Sequence, residues 1–101
     1  MLIHASILNP DKSYGGRDIS VGLRPRFQLQ DSLVRMKPSS CGGVRINQLN
    51  LDEHTRRGSV ELHLPEELES RHQDIQPGMG YVLLDGTKII GIGSVTRVDR
   101  T

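Results

Sequence analysis

The chain is expected to be all-β, a small antiparallel barrel or sandwich, and three observations carry that expectation. Apolar and polar residues alternate with period two over residues 24–30 and 59–64. Two apolar, β-branched runs flank Asp85-Gly86, a strong short-range hairpin signal. No stretch carries the pattern of a long amphipathic helix, and Gly and Pro punctuate the chain throughout. At 101 residues the length fits one domain, 1–101, with one core.

The elements follow in order. Residues 2–8 read as a strand with Ile3, Ala5 and Ile7 on one face. Residues 9–16 are dense in turn chemistry, with Asn-Pro and Gly-Gly as punctuation, and a loop continues to about residue 22. In residues 24–30, Phe27 and Leu29 point one way while Arg24, Arg26, Gln28 and Gln30 point the other. Pro25 places this strand at an edge or makes it a strand start. Residues 33–37 and 44–48 are short strands around a turn, Pro38-Ser-Ser-Cys-Gly-Gly43, and residues 49–58 form a polar loop. In residues 59–64, Val60, Leu62 and Leu64 face inward, Glu61 and His63 outward. Residues 65–74 give at most one short helix, with Pro65 at its first position and acids in its first turn.

Residues 81–84 and 88–98 then form the closing hairpin, with both central turn residues expected at positive φ. Gly91 and Gly93 sit two apart, so their missing side chains fall on one face. That allows a bulge or the close approach of another backbone.

Composition narrows the function. Net charge is +1, so no global field points to nucleic acid or membrane. Residues 1–50 carry seven Lys/Arg against three Asp/Glu, and residues 51–101 carry six against nine. The basic half suits a phosphate or acidic partner. Tyr14, Phe27 and Tyr81 are the only aromatics, too few for base-stacking recognition of single strands. A single cysteine, Cys41, cannot form an internal disulfide and fits a reducing compartment. No cationic segment with a long apolar run opens the chain, and no run approaches the roughly 20 residues of a membrane span, so a cytoplasmic location is expected.

The residues for catalysis or cofactor binding do not assemble. Gly86-Thr87-Lys88 lacks the following helix of a phosphate loop, and Gly91-x-Gly93 lies within a strand rather than a βαβ unit, so no nucleotide is expected. Asp52-Glu53-His54 and Glu69-x-x-His72 contain metal-ligand types. A metal site needs three or four converging ligands, and a solvated acidic loop is the simpler reading. Cys41 has no identifiable base. We therefore expect no enzyme, no catalytic residue, no metal and no cofactor. The strongest constellation is Arg17, Arg24, Arg26, Arg35, Lys37 and Arg45, whose guanidinium groups, with the Lys37 ammonium, suit phosphate oxygens. The alternative is that they solvate strand exteriors and discourage edge aggregation.

Gly15-Gly-Arg17, Arg24-Pro-x-Phe27 and the hairpin over residues 81–98, with its Gly91-Ile-Gly-Ser-Val motif, occur in the order found in the third, C-terminal domain of bacterial elongation factor Tu. Taken together, they make the chain resemble that domain across nearly its whole length. Residues 30–58 do not align clearly. The resemblance implies a closed antiparallel Greek-key β-barrel of about six strands. It also implies partners, because the third domain helps bind the aminoacyl-tRNA backbone and contacts proteins. The matching positions are Arg17, Arg26, Asp85 and Gly86. Asp18 stands where the family has a histidine, and Leu84 where it has a basic residue. The GTP-binding domain is absent, so no GTPase activity follows. The expected function is a translation-associated, non-catalytic module that docks on a protein partner or self-associates. The alternative is RNA binding, to the tRNA backbone, through Arg17, Arg24 and Arg26.

Overall fold

The computed structural model describes residues 1–10, 18–32, 35–65 and 75–99, with residues 31, 32 and 35–42 described by their backbone. Seven strands make it up: β1 (Leu2–Leu8), β2 (Arg26–Ser32), β3 (Arg35–Gly43), β4 (Arg45–Leu51), β5 (Arg57–His63), β6 (Gly80–Asp85) and β7 (Lys88–Asp99). They form one sheet in the order β3-β2-β6-β7-β1-β5-β4, and every neighbouring pair is antiparallel. The architecture is all-β. Among the described residues there is no helix, and none long and apolar enough to cross a membrane. The short helix expected over 65–74 falls outside the described residues beyond Pro65.

The hairpin forms where the Asp-Gly signal puts it. Asp85 pairs with Lys88, and Gly86 and Thr87 make the turn. Of these two only Gly86 has a positive φ, 64°. This corrects the expectation that both central residues are left-handed. A primed turn with glycine first needs positive φ at that position alone.

β1 lies inside the sheet, paired with β5 on one side and β7 on the other. Its alternation buries Ile3, Ala5 and Ile7. They join Phe27, Leu29, Ile46, Val60, Leu62, Tyr81, Leu83, Ile90 and Val95 in one core. Phe27 and Tyr81 stack with centroids 5.3 Å apart and rings 17° from parallel. Gly91 and Gly93 make room on this inner face. A Cβ on Gly91 would press Ile7 Cδ1 at 3.0 Å and Leu83 Cδ1 at 3.2 Å, and one on Gly93 would fall on the Ser6 carbonyl. β7 also bulges at Ile90, where the register skips between Leu83↔Gly91 and Leu84↔Ile89.

The strand expected over residues 24–30 is β2, Arg26–Ser32, with Arg24 and Pro25 just before it, and two segments expected as a turn and a loop are largely strand. The Pro38–Gly43 segment is not a turn. It belongs to β3, whose Cys41, Gly42 and Gly43 pair with Gln28, Phe27 and Arg26. The pairing breaks between Gln28↔Cys41 and Gln30↔Met36, the stretch that contains Pro38, which has no N–H to give a ladder. The expected loop over 49–58 shrinks to residues 52–56, because Leu49, Asn50 and Leu51 pair with Val60, Ser59 and Gly58. A polar strand such as β4 is held by its neighbour's ladder rather than by its own pattern.

Val44 alone separates β3 from β4, the two outermost strands in the sheet order. Counted as one bent strand, β3 and β4 bring the total to six. Val44 N–H donates to the Pro25 carbonyl at 3.0 Å, Ile46 N–H to Leu23 at 3.0 Å, and Gly22 N–H to Ile46 at 2.8 Å.

Candidate binding surfaces

The bonds from Val44 to Pro25 and from Ile46 to Leu23 continue the β2–β3 register and bracket Arg24 and Arg45 opposite each other. On its other side Arg45 pairs with His63. Arg24, Arg45 and His63 therefore lie side by side across three chain segments. They line a cavity of about 310 Å³ together with Gly43, Val44 and Pro65. Pro25 and Val44 are buried between them, so the charged neighbours are forced outward. Arg26, also exposed, stands opposite Gly43 on one side and Leu84 on the other. Arg45 Nε donates to Asn47 Oδ1 at 2.9 Å. The side chains of Arg24, Arg26 and His63 have no ion pair or hydrogen bond among the described residues.

Of the residues singled out by sequence, Arg24, Arg26 and Arg45 thus come together. Asp85 and Gly86 lie just beyond the Arg26↔Leu84 pair, towards Arg24. Arg35 and Lys37 do not join them. They lie beyond the break in the β3 pairing, level with Gln30 to Ser32, four to six residues along β2 from Arg26 and on the order of 13–20 Å away at strand rise. Arg17 lies outside the described residues. His63 is a member the sequence does not reveal, because nothing in residues 44–48 and 59–64 states that they pair or in which register.

A second surface was not foreseen. On β6, Tyr81 and Leu83 face the core, so Val82 and Leu84 point away from it. Val82 pairs with Ile92, Leu84 with Ile89, and Leu8 of β1 with Ile92. These five apolar residues form a continuous outer strip. Ile89 and Ile92 are 40% and 38% exposed, Leu8 and Leu84 are half-buried, and Val82 is buried although outside the core. Arg26, opposite Leu84, and exposed Lys88, beside Ile89, supply cations at its rim. The available signal was that β6 and the start of β7 are apolar at consecutive positions, whereas a strand solvated on one face alternates.

Two polar clusters hold the frame. His4 Nε2 lies 2.9 Å from Asp99 Oδ2 and 3.1 Å from Arg97 Nη2, and its Nδ1 lies 3.9 Å from Glu61 Oε1. The His4 hydrogen bond, aided by Arg97, holds the Asp99 carboxyl below its ordinary value of 3.8. At the end of β1, buried Asn9 donates from Nδ2 to the Ile90 carbonyl at 2.7 Å, at the β7 bulge. Arg56 Nε donates to the Asn9 carbonyl at 2.8 Å and its Nη2 to Asn9 Oδ1 and, at 3.3 Å, to Asp18 Oδ1. In the same turn Asp52 Oδ1 accepts from the backbone N–H groups of His54 and Thr55 at 2.8 and 2.9 Å. Those bonds lower its pKa and tie the carboxylate to the turn. The Glu69-x-x-His72 pair lies outside the described residues. Tyr81 Oη donates to the Ser6 carbonyl at 2.6 Å, and burial pushes the phenol pKa far above its ordinary 10.

No protein-family model matches the chain, and no curated protein matches it.

Proposed function

We propose that the chain is a non-catalytic binding module that docks on a protein partner through the outer strip of Leu8, Val82, Leu84, Ile89 and Ile92. The exposure of Ile89 and Ile92 beside half-buried Leu8 and Leu84, with Val82 buried beneath them, carries the reading, because a connected apolar patch rimmed by charge marks an interaction surface. The partner we infer presents an apolar segment flanked by carboxylates, complementary to Arg26 and Lys88 at the rim. The strip includes Leu84, where the resembling elongation-factor domain carries a cation. Loss of that cation favours a protein partner over the family's tRNA contact.

The scaffold of this reading is a closed Greek-key barrel, of the kind that ends elongation factor Tu. One residue, Val44, links the outermost strands. In a flat sheet of this order those strands would stand about 29 Å apart, six spacings of ~4.8 Å, whereas one residue reaches about 3.5 Å. The three backbone bonds from Gly22, Val44 and Ile46 also support closure.

The test is in-cell cross-linking followed by mass spectrometry, comparing wild type with Ile89→Asp/Ile92→Asp. A specific set of proteins is expected from the wild type and lost from the double variant. Recovery that does not change in the variant removes the reading. A wild-type dimer that becomes monomeric in the variant replaces the partner with a second copy of the chain.

A further inference from the structure

We infer that the cavity between Arg24, Arg45 and His63 is a binding site for a phosphate monoester. This site is separate from the docking strip and does not depend on it. Two guanidinium groups and an imidazole line one concave space of about 310 Å³, over the Cβ-free backbone of Gly43. Arg24 and His63 have no ion pair among the described residues, and Arg45 spends one donor on Asn47. Planar guanidinium donors match the oxygens of a phosphoryl group, and two permanent charges match the near-dianion a phosphate monoester carries at neutral pH.

The surroundings favour an isolated phosphate over a polynucleotide chain. Backbone phosphates of RNA follow one another and require cations along a track. Here the track stops. Along β2, the outward positions beyond Arg26 are Gln28 and Gln30. Along β5, the next outward residue after His63 is Glu61. Across the sheet from His63 come Leu2 and then Asp99. Along β2 a second phosphate finds one more cation, Arg26, and beyond it, as in the other directions, amides, an apolar residue or carboxylates. The monoester could be borne by a small molecule or by a phosphorylated side chain of a protein. The shared chemistry is the terminal phosphoryl group.

The test is a two-dimensional ¹H–¹⁵N NMR titration at fixed ionic strength. The probes are inorganic phosphate, free phosphoserine, a short phosphoserine peptide with apolar flanks, and an RNA dodecamer. Saturable shifts are expected at the amides of Gly43, Val44, Arg45 and His63 with phosphate and phosphoserine. Arg24→Gln and Arg45→Gln are each expected to weaken binding roughly tenfold, and Arg57→Gln to leave it unchanged. All three arginines are exposed, so an unchanged spectrum elsewhere in each variant confirms that the fold is intact. Tighter binding of the peptide than of free phosphoserine assigns the phosphate to a protein, and equal binding to a small molecule. The inference is overturned by RNA shifting the same amides at lower phosphate concentration than phosphoserine. It is also overturned by a response that survives in the Arg24→Gln/Arg45→Gln double variant, or by no shift at tens of millimolar phosphate.

Discussion

Arg56 shows how much one side chain can organise in a protein of this size. Its φ of 58° is the left-handed conformation that costs a residue with a Cβ about 1–2 kcal/mol. Its guanidinium offsets that cost by bonding Asn9 at two atoms, and the backbone N–H of Asn9 answers with a 2.9 Å bond to the Arg56 carbonyl. The contact to Asp18 adds little, because that carboxylate is 65% exposed. We expect Arg56→Ala to destabilise the fold by about 2–3 kcal/mol, since it leaves buried Asn9 under-bonded while keeping the strain. Arg56→Gly should lose about 1 kcal/mol less, because glycine takes the left-handed region freely. Urea denaturation of the two variants checks this. An alanine variant as stable as the glycine one would show that the turn does not need its left-handed residue. Neither role was legible in the sequence. Asn9-Pro10 reads as ordinary turn punctuation, and Arg56 as one more charge in a polar stretch. Their partnership spans 47 residues, and no local pattern encodes it.

At the scale of elements, the seam between β1 and β7 is the most heavily supported pairing. Gly93 lets β7 approach Ser6, and Tyr81 reaches the Ser6 carbonyl from β6. Ser6 Oγ in turn accepts from the Ser94 N–H at 3.1 Å. Farther along, His4 and Arg97 clamp Asp99. The folded pKa of Asp99 lies below 3.8, so its stabilising contribution is present above that value and is lost as pH falls through the folded value. Asp52 acts with the same sign. In thermal melts from pH 7 to pH 2, Asp99→Asn is therefore expected to lower stability near neutrality and to lose less on acidification than wild type. An identical acid limb in the two proteins would mean that the clamp contributes nothing.

The elements legible in the sequence were those whose own residues specify them. The Asp85-Gly86 turn dictates a hairpin, and the alternation in β2 and β5 dictates a buried face. β3 and β4 extend past the strands expected over 33–37 and 44–48, because Pro38, two glycines and a run of amides carry no strand pattern. Their pairing comes from Arg26, Phe27 and Gln28 on one side and from β5 on the other. The candidate site divided in the same way. Arg24 and Arg26 share a strand pattern that the sequence displays, whereas Arg45 and His63 meet only through a ladder it conceals.

For the whole molecule, the question is whether the sheet has edges. If β3 and β4 are one strand that seals the sheet, the amides of Val44 and Ile46 are interior bonds. They should then exchange with solvent as slowly as the amides of Ile3 and Ala5 in β1, through global unfolding alone. Native-state hydrogen exchange measures this. Exchange at Val44 and Ile46 a hundredfold faster than in β1 would describe an open edge that frays, and the proposed barrel would not stand. A sealed sheet would also leave no strand to recruit a partner by edge pairing, which fits recognition by side chains on the outer face.

The interior position of β1 also fixes the order in which the molecule can assemble. Its partners lie from 49 residues away, at Leu8↔Arg57, to 97 residues away, at Leu2↔Asp99. Among the seven strands, the earliest in sequence thus waits for the latest to supply its second neighbour. Contacts of such high sequence separation pay their loop entropy before any reward, and they slow folding. Until Lys88–Asp99 is in place, the apolar faces of β1 and β6 have no common neighbour, so the middle of the sheet is the last part to be covered.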